Sequence, residues 1–232
     1  MRNLKILFVF LITACSINYA QTVGGSFVIG IPKNEFKSNT DKLGYGLEIH
    51  GTFWEPNKQR PVTLGLNFGY LNYGRESQSR PLSHTIPDIR VDVNRNNSIA
   101  NMHLLLQIAP FTGTWRPYFE VLGGGNYIFT TTEVKSERDW GNDENIAEST
   151  NFDDWSWSYG IGGGMLIKVW NNPDEKGILY LNLKCRYLWS SESEYLTVGG
   201  IVINPANGAV DYYVNKSTMD LLTVNIGVDY YF

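Results

Sequence analysis

Cysteine is nearly missing from this chain: Cys15 and Cys185 are the only two. Cys15 belongs to a leader-like start, MRNLKILFVFLITACSINYA, in which Arg2 and Lys5 precede a largely apolar stretch from Ile6 to Ala14. That layout is a secretory signal. Cleavage after Ala20 is expected, dividing the chain into a signal peptide (1–20) and one mature domain (21–232), and it leaves Cys185 alone, which excludes an intramolecular disulfide. A second reading takes Leu11-Ile12-Thr13-Ala14-Cys15 as a lipobox with a lipidated Cys15. Long apolar runs are also absent, since nothing approaches the roughly 20 residues of a membrane-spanning helix. Beyond the leader no segment sets apolar residues at helical spacing. An excess of positive charge is lacking too: once Arg2 and Lys5 are removed, 17 Lys and Arg face 23 Asp and Glu. Nucleic acid is therefore excluded as a partner.

What the sequence does have is alternation with a period of two. Eight runs carry it: Val23–Ile31, Leu43–Trp54, Val62–Tyr70, Met102–Ile108, Phe119–Phe129, Trp155–Val169, Leu179–Trp189 and Leu222–Phe232. In the second run Leu43, Tyr45, Leu47, Ile49 and Phe53 oppose Gly44, Gly46, Glu48, His50 and Thr52. All nine prolines fall between runs or at their ends, as paired strand interiors require. The links 55–61, 110–116 and 171–176 are short, whereas 75–95, 132–154 and 190–220 are long. This is an all-β chain, an eight-stranded antiparallel meander with two unlike ends.

The less greasy face decides which closed barrel it is. A soluble barrel turns its apolar face inward and shows charge to water, whereas a membrane barrel turns it outward to lipid. Here the opposite face is rich in Gly, Ser, Thr and Asn, with few charges: Glu48, Glu120, Asp229, Lys168, Lys184 and Arg186, plus His50. Small residues suit the narrow interior of an eight-stranded barrel, and buried charges there must pair. The expected contacts are Glu120 with Lys168, and Glu48 with Lys184 or Arg186, plugging the lumen. Trp155, Trp157, Tyr187 and Trp189 are expected to form one interfacial girdle, and Phe53, Phe119, Tyr230 and Phe232 the other.

On these runs, and on the closing VNIGVDYYF, the chain from Gln21 to Phe232 resembles the small eight-stranded outer-membrane barrels of Gram-negative bacteria, the group of the OmpA membrane domain and OmpX. The resemblance implies an up-and-down transmembrane barrel in the outer membrane, a monomer surrounded by lipid and lipopolysaccharide. It also implies that Val224, Ile226, Val228, Tyr230 and Phe232 form the signal read by the barrel-assembly machinery.

No cofactor or metal site is expected, and an enzyme is disfavoured. Among three histidines, His50 and His103 are placed inward and His84 in a long link. A small porin and a lipid-modifying enzyme stand as the alternatives to a non-enzymatic structural or surface-interaction protein. The segment Thr132–Asp154 holds eight acids, Glu133, Glu137, Asp139, Asp143, Glu144, Glu148, Asp153 and Asp154, but their spacing fits no EF-hand. Glu194–Ile203 and Ala209–Val214 read as strands around the turn Asn204–Gly208. Strands seven and eight are expected to run on past the membrane as a hairpin, whose edge could pair with an extracellular protein.

Overall fold

The computed structural model describes residues 22–81, 90–136, 147–171, 177–203 and 209–232. Its elements in chain order are β1 Thr22–Pro32, α1 Asn34–Asn39, β2 Gly44–Thr52, β3 Val62–Pro81, β4 Arg90–Ile108, β5 Trp115–Ser136, β6 Ala147–Asn171, β7 Ile178–Ser190, β8 Glu192–Tyr195, β9 Ile201–Ile203, β10 Val210–Tyr212, β11 Asn215–Thr218 and β12 Leu221–Tyr231. Strands β1 to β7 and β12 close into one antiparallel barrel. The seam runs from Thr22↔Tyr231 to Pro32↔Leu221. Closure leaves the wall without an edge.

The alternation sorts residues onto the two sides of this wall. Outside, Phe27, Leu47, Ile49, Leu104, Trp157 and Ile226 are all exposed. A continuous apolar exterior of this extent belongs against lipid rather than water. Toward the loops, Trp155 and Trp157 meet edge to face, and Trp189 stacks on Tyr159 and leans on Tyr187. At the other end Tyr230 and Phe232 touch with ring centroids 4.8 Å apart. The short turns there use local chemistry. Asn57 Oδ1 accepts from the Gln59 and Arg60 backbone N–H groups, and Gly113 takes φ +121°, which a side chain would strain.

Strand length departs from expectation. β1, β2, β7 and β12 have 11, 9, 13 and 11 residues, which matches the roughly 9–11 of a bilayer crossing. β3 to β6 have 20, 19, 22 and 25, so they continue about 30–50 Å of strand length past the lipid at roughly 3.3 Å per residue. Much of the links 75–95 and 132–154 is therefore strand, not loop. The expected extension of strands seven and eight is found in interrupted form: beyond Leu188↔Leu221 the pairing resumes as β8 with β11, Glu192↔Thr218 to Tyr195↔Asn215, and again as β9 with β10, Ile201↔Tyr212 to Ile203↔Val210. A short helix, α1, also appears in the otherwise all-β chain. These pieces lie over the mouth beside the four-stranded crown.

Candidate functional site

The lumen is filled in three storeys. At the short-turn end Arg116 is almost fully buried. Its Nη2 donates to the Pro56 carbonyl at 2.6 Å, its Nε to that of Phe111 at 3.0 Å, and its Nη1 to Glu55 Oε1 at 3.1 Å and the Tyr180 hydroxyl at 3.3 Å. The guanidinium lies over the rings of Tyr180 and Tyr231, adding a cation–π contact. Ala109, Tyr118 and Leu166 complete this floor.

The middle storey is a connected ion cluster. Lys184 Nζ meets Glu48 Oε1 at 2.5 Å. Arg186 bridges the Glu48 and Glu120 carboxylates and also donates to Asn67 Oδ1 at 3.2 Å. Just below, His50 Nε2 lies 3.3 Å from Asp229 Oδ2, which also accepts from Asn182 Nδ2 at 2.9 Å. Tyr118 in turn donates to Asn182 Oδ1 at 2.8 Å. Glycine makes the room: a Cβ on Gly162 would sit 2.6 Å from Arg186 Cγ, and one on Gly24 would strike Asp229 and His50. Such packing gives each buried charge a partner, the condition for tolerating it.

Glu48 takes both of its expected partners, but the expected Glu120–Lys168 contact is not made. Glu120 is in register with Gly162, and Lys168 is six residues further along β6, about 20 Å at strand rise. Lys168 is half-exposed near the floor, beside a bulge between Lys168 and Trp170. Arg186 takes its place as the partner of Glu120. Of the seven residues expected in the network, the lumen brings together Glu48, His50, Glu120, Lys184, Arg186 and Asp229. Arg116 was missed, although period two counted back from Glu120 through Tyr118 reaches it.

The outer storey is apolar. Val28, Leu71, Ile99, Leu105, Leu122, Ile128, Leu188 and Leu221 point inward and form one core with Phe36, Tyr73, Tyr195 and Met219. Phe36 from α1 is fully buried and meets Tyr73 and Tyr195 edge to face at 5.4 Å each. Asn34, at positive φ, ties the start of α1 to Asp220 at 2.6 Å. A cavity of about 20 Å³ remains between this core and the ion cluster, bordered by His103, Asn101 and Leu71. That volume holds about one water molecule.

Above the core, residues 196–201 cross the mouth and are held from the crown through their backbone. The Tyr73 hydroxyl donates to the Leu196 carbonyl at 3.0 Å, the Gly199 N–H to Glu76 Oε2 at 3.1 Å, and Arg95 Nη1 to the Ile201 carbonyl at 3.0 Å. Burial pushes the Tyr73 phenol well above its ordinary pKa, so it stays a donor. On the far rim Asp154 accepts from the Glu194 N–H at 2.7 Å and from that of Trp155 at 2.8 Å.

Other expected residues lie elsewhere. His84, Glu137, Asp139, Asp143, Glu144 and Asn204–Gly208 are outside the described residues, as is the whole leader with Cys15. Glu133, Glu148, Asp153 and Asp154 stand on the crown strands, and among the described residues no group of His, Cys, Asp and Glu could hold a metal ion. Val224, Ile226 and Val228 face outward in β12, with Phe232 exposed beyond its end.

No protein-family model matches the chain, and no curated protein matches it. Solved structures similar to it are small outer-membrane barrels. Neisserial surface protein A is 10% identical, with a TM-score of 0.38, over 91% of this chain and 95% of that one. Ail, the attachment invasion locus protein of Yersinia pestis, solved with the heparin analogue sucrose octasulfate, is 10% identical, with a TM-score of 0.37, over 92% and 99%. A major outer membrane protein from Thermus thermophilus is 12% identical, with a TM-score of 0.37, over 92% and 100%.

Proposed function

We propose that this protein is a monomeric barrel of a bacterial outer membrane, closed to solutes, that works through its loop-side surface by attachment or partner binding. One observation carries the reading: side chains fill the lumen from the Arg116 floor to the Phe36–Tyr195 cap, leaving about 20 Å³ between the middle and outer storeys. Spaces of ligand size lie instead on the loop side, outside the lumen. Lipid and lipopolysaccharide would surround the wall, and the barrel-assembly machinery would be met only during biogenesis. A porin needs a continuous water path, which the Arg186 cluster and the apolar storey both oppose. A lipid-modifying enzyme needs a base that a substrate can reach, whereas His50 and His103 are buried in the lumen.

The test replaces residues 196–214 with a Gly-Ser linker and compares cells carrying either form. Attachment to host cells, or autoaggregation, should be lost while outer-membrane yield persists. Equal attachment by both forms would contradict the reading.

A further inference from the structure

Two clefts open on the loop side, one on each flank of Thr197–Val198, with volumes of about 600 and 270 Å³. The larger is in the range of small-ligand sites. It is lined by Tyr212, Tyr213, Val198, Val214, Thr197 and Asn215 and by Gly199 and Gly200. No residue lining it carries a charge. An ionic ligand would thus find no counter-charge there, and a purely apolar one would cover the Thr hydroxyl and Asn amide with no hydrogen bond beyond the one they make to each other. What matches is a neutral molecule with flat C–H faces and many hydroxyls. Aromatic faces are electron-rich and receive such C–H groups, and an amide offers a donor and an acceptor side by side.

The frame is already ordered. The Gly200 N–H donates to the Thr197 carbonyl at 2.9 Å, and the Tyr213 N–H to that of Gly200 at 2.8 Å. Asn215 Nδ2 donates to Thr197 Oγ1 at 3.2 Å, and Gly199, at φ +85°, makes the turn between them. The contacts from Tyr73, Glu76 and Arg95 fix the same backbone from below. Tyr213 is nevertheless 63% exposed and Tyr212 44%, two rigid rings held out by their main chain rather than packed away. Ordering a tyrosine on a ligand costs little conformational entropy. The smaller cleft on the other flank is lined by Asn39, Thr40, Asp41 and Lys42, and its two charges set it apart from the uncharged larger one. A peptide strand fits less well, because β9 and β10 have three residues each, too few to template an added strand.

We infer that the larger cleft binds a neutral oligosaccharide, with the exposed Tyr213 as its stacking ring and Asn215 and Thr197 as its hydrogen-bonding edge. The inference rests on the surface-interaction reading and names its ligand class. The test uses the full chain, purified in a detergent without a sugar headgroup, on an array of neutral, sialylated and sulfated glycans. Capture of neutral oligosaccharides is expected. Tyr213→Ala should weaken it about tenfold, in line with loss of one stacking contact, while Tyr213→Phe keeps it. Heat-modifiable migration on a gel checks that each variant is folded. Capture of sulfated or sialylated glycans alone, capture of none, or undiminished binding by folded Tyr213→Ala would overturn the inference. In parallel, Val202→Cys is labelled on intact cells with a membrane-impermeant maleimide. Labelling together with a blank array sinks the ligand class alone, whereas no labelling contradicts the surface reading beneath it.

Discussion

In the middle of the lumen Arg186 joins Glu48 and Glu120, while two residues further up the same strand Leu188 enters a core with Val28, Leu71 and Leu221. The two storeys share their walls and differ in what holds them. In the ion cluster each group is tolerated only because its partner is present, so losing one strands a charge that water cannot reach. In the apolar storey nothing is stranded, and a lost side chain leaves only a void whose cost depends on how far the neighbours relax. The first is bolted together within the wall, whereas the second is finished from outside, by α1 and the crossing segment 196–201. The crown explains why: it carries Tyr73, Glu76 and Arg95 to the height where that segment needs anchors.

This contrast orders the expected effects of substitution. Arg186→Ala should cost most, about 3–5 kcal/mol of unfolding free energy in urea titrations of the micelle-bound barrel, since it leaves the buried Glu120 carboxylate unpaired and Glu48 with Lys184 alone. Adding Glu120→Gln, which leaves the Lys184–Glu48 pair intact, should recover part of that loss, and no recovery would show that packing, not charge, dominates the cluster. Phe36→Ala should cost about 3 kcal/mol, the low end for removing a buried Phe, because six-residue α1 can settle. If Phe36→Ala proved more damaging than Arg186→Ala, the ranking of the storeys would be reversed. Tyr73→Phe should cost about 1 kcal/mol, one lost hydrogen bond, and should show as faster proteolysis within residues 196–201. Lys168→Ala should stay within about 0.5 kcal/mol, and a larger loss would return Lys168 to the network.

The sequence made some of this legible and hid the rest for physical reasons. Period two separates lipid-facing from lumen-facing residues wherever one side of a strand is in lipid, and Glu48, Lys184 and Arg186 follow from it directly. Pairing between strands does not, because register depends on where each turn closes, and so Glu120 was matched with Lys168 rather than Arg186. Val28 sits between Phe27 and Ile29, and Leu71 follows Tyr70, so inward apolar residues merge with outward ones into a single greasy run. Above the membrane β3 to β6 carry mostly polar residues on both faces, with few buried apolar ones such as Tyr73 and Val91, so the alternation fades and strands read as loops. Helix α1 is shorter than two turns and buries one residue, Phe36, too little to register as a period.

Planar-bilayer conductance of the purified full chain tests the closed lumen most directly. The unaltered protein should give no stable ohmic step, and Arg186→Ala and Phe36→Ala should each stay silent because the other storey still blocks the path. The double variant should stay silent as well while the Arg116 floor is intact, and adding Arg116→Ala to it should open the path. Steady ohmic steps from the unaltered protein would contradict the account.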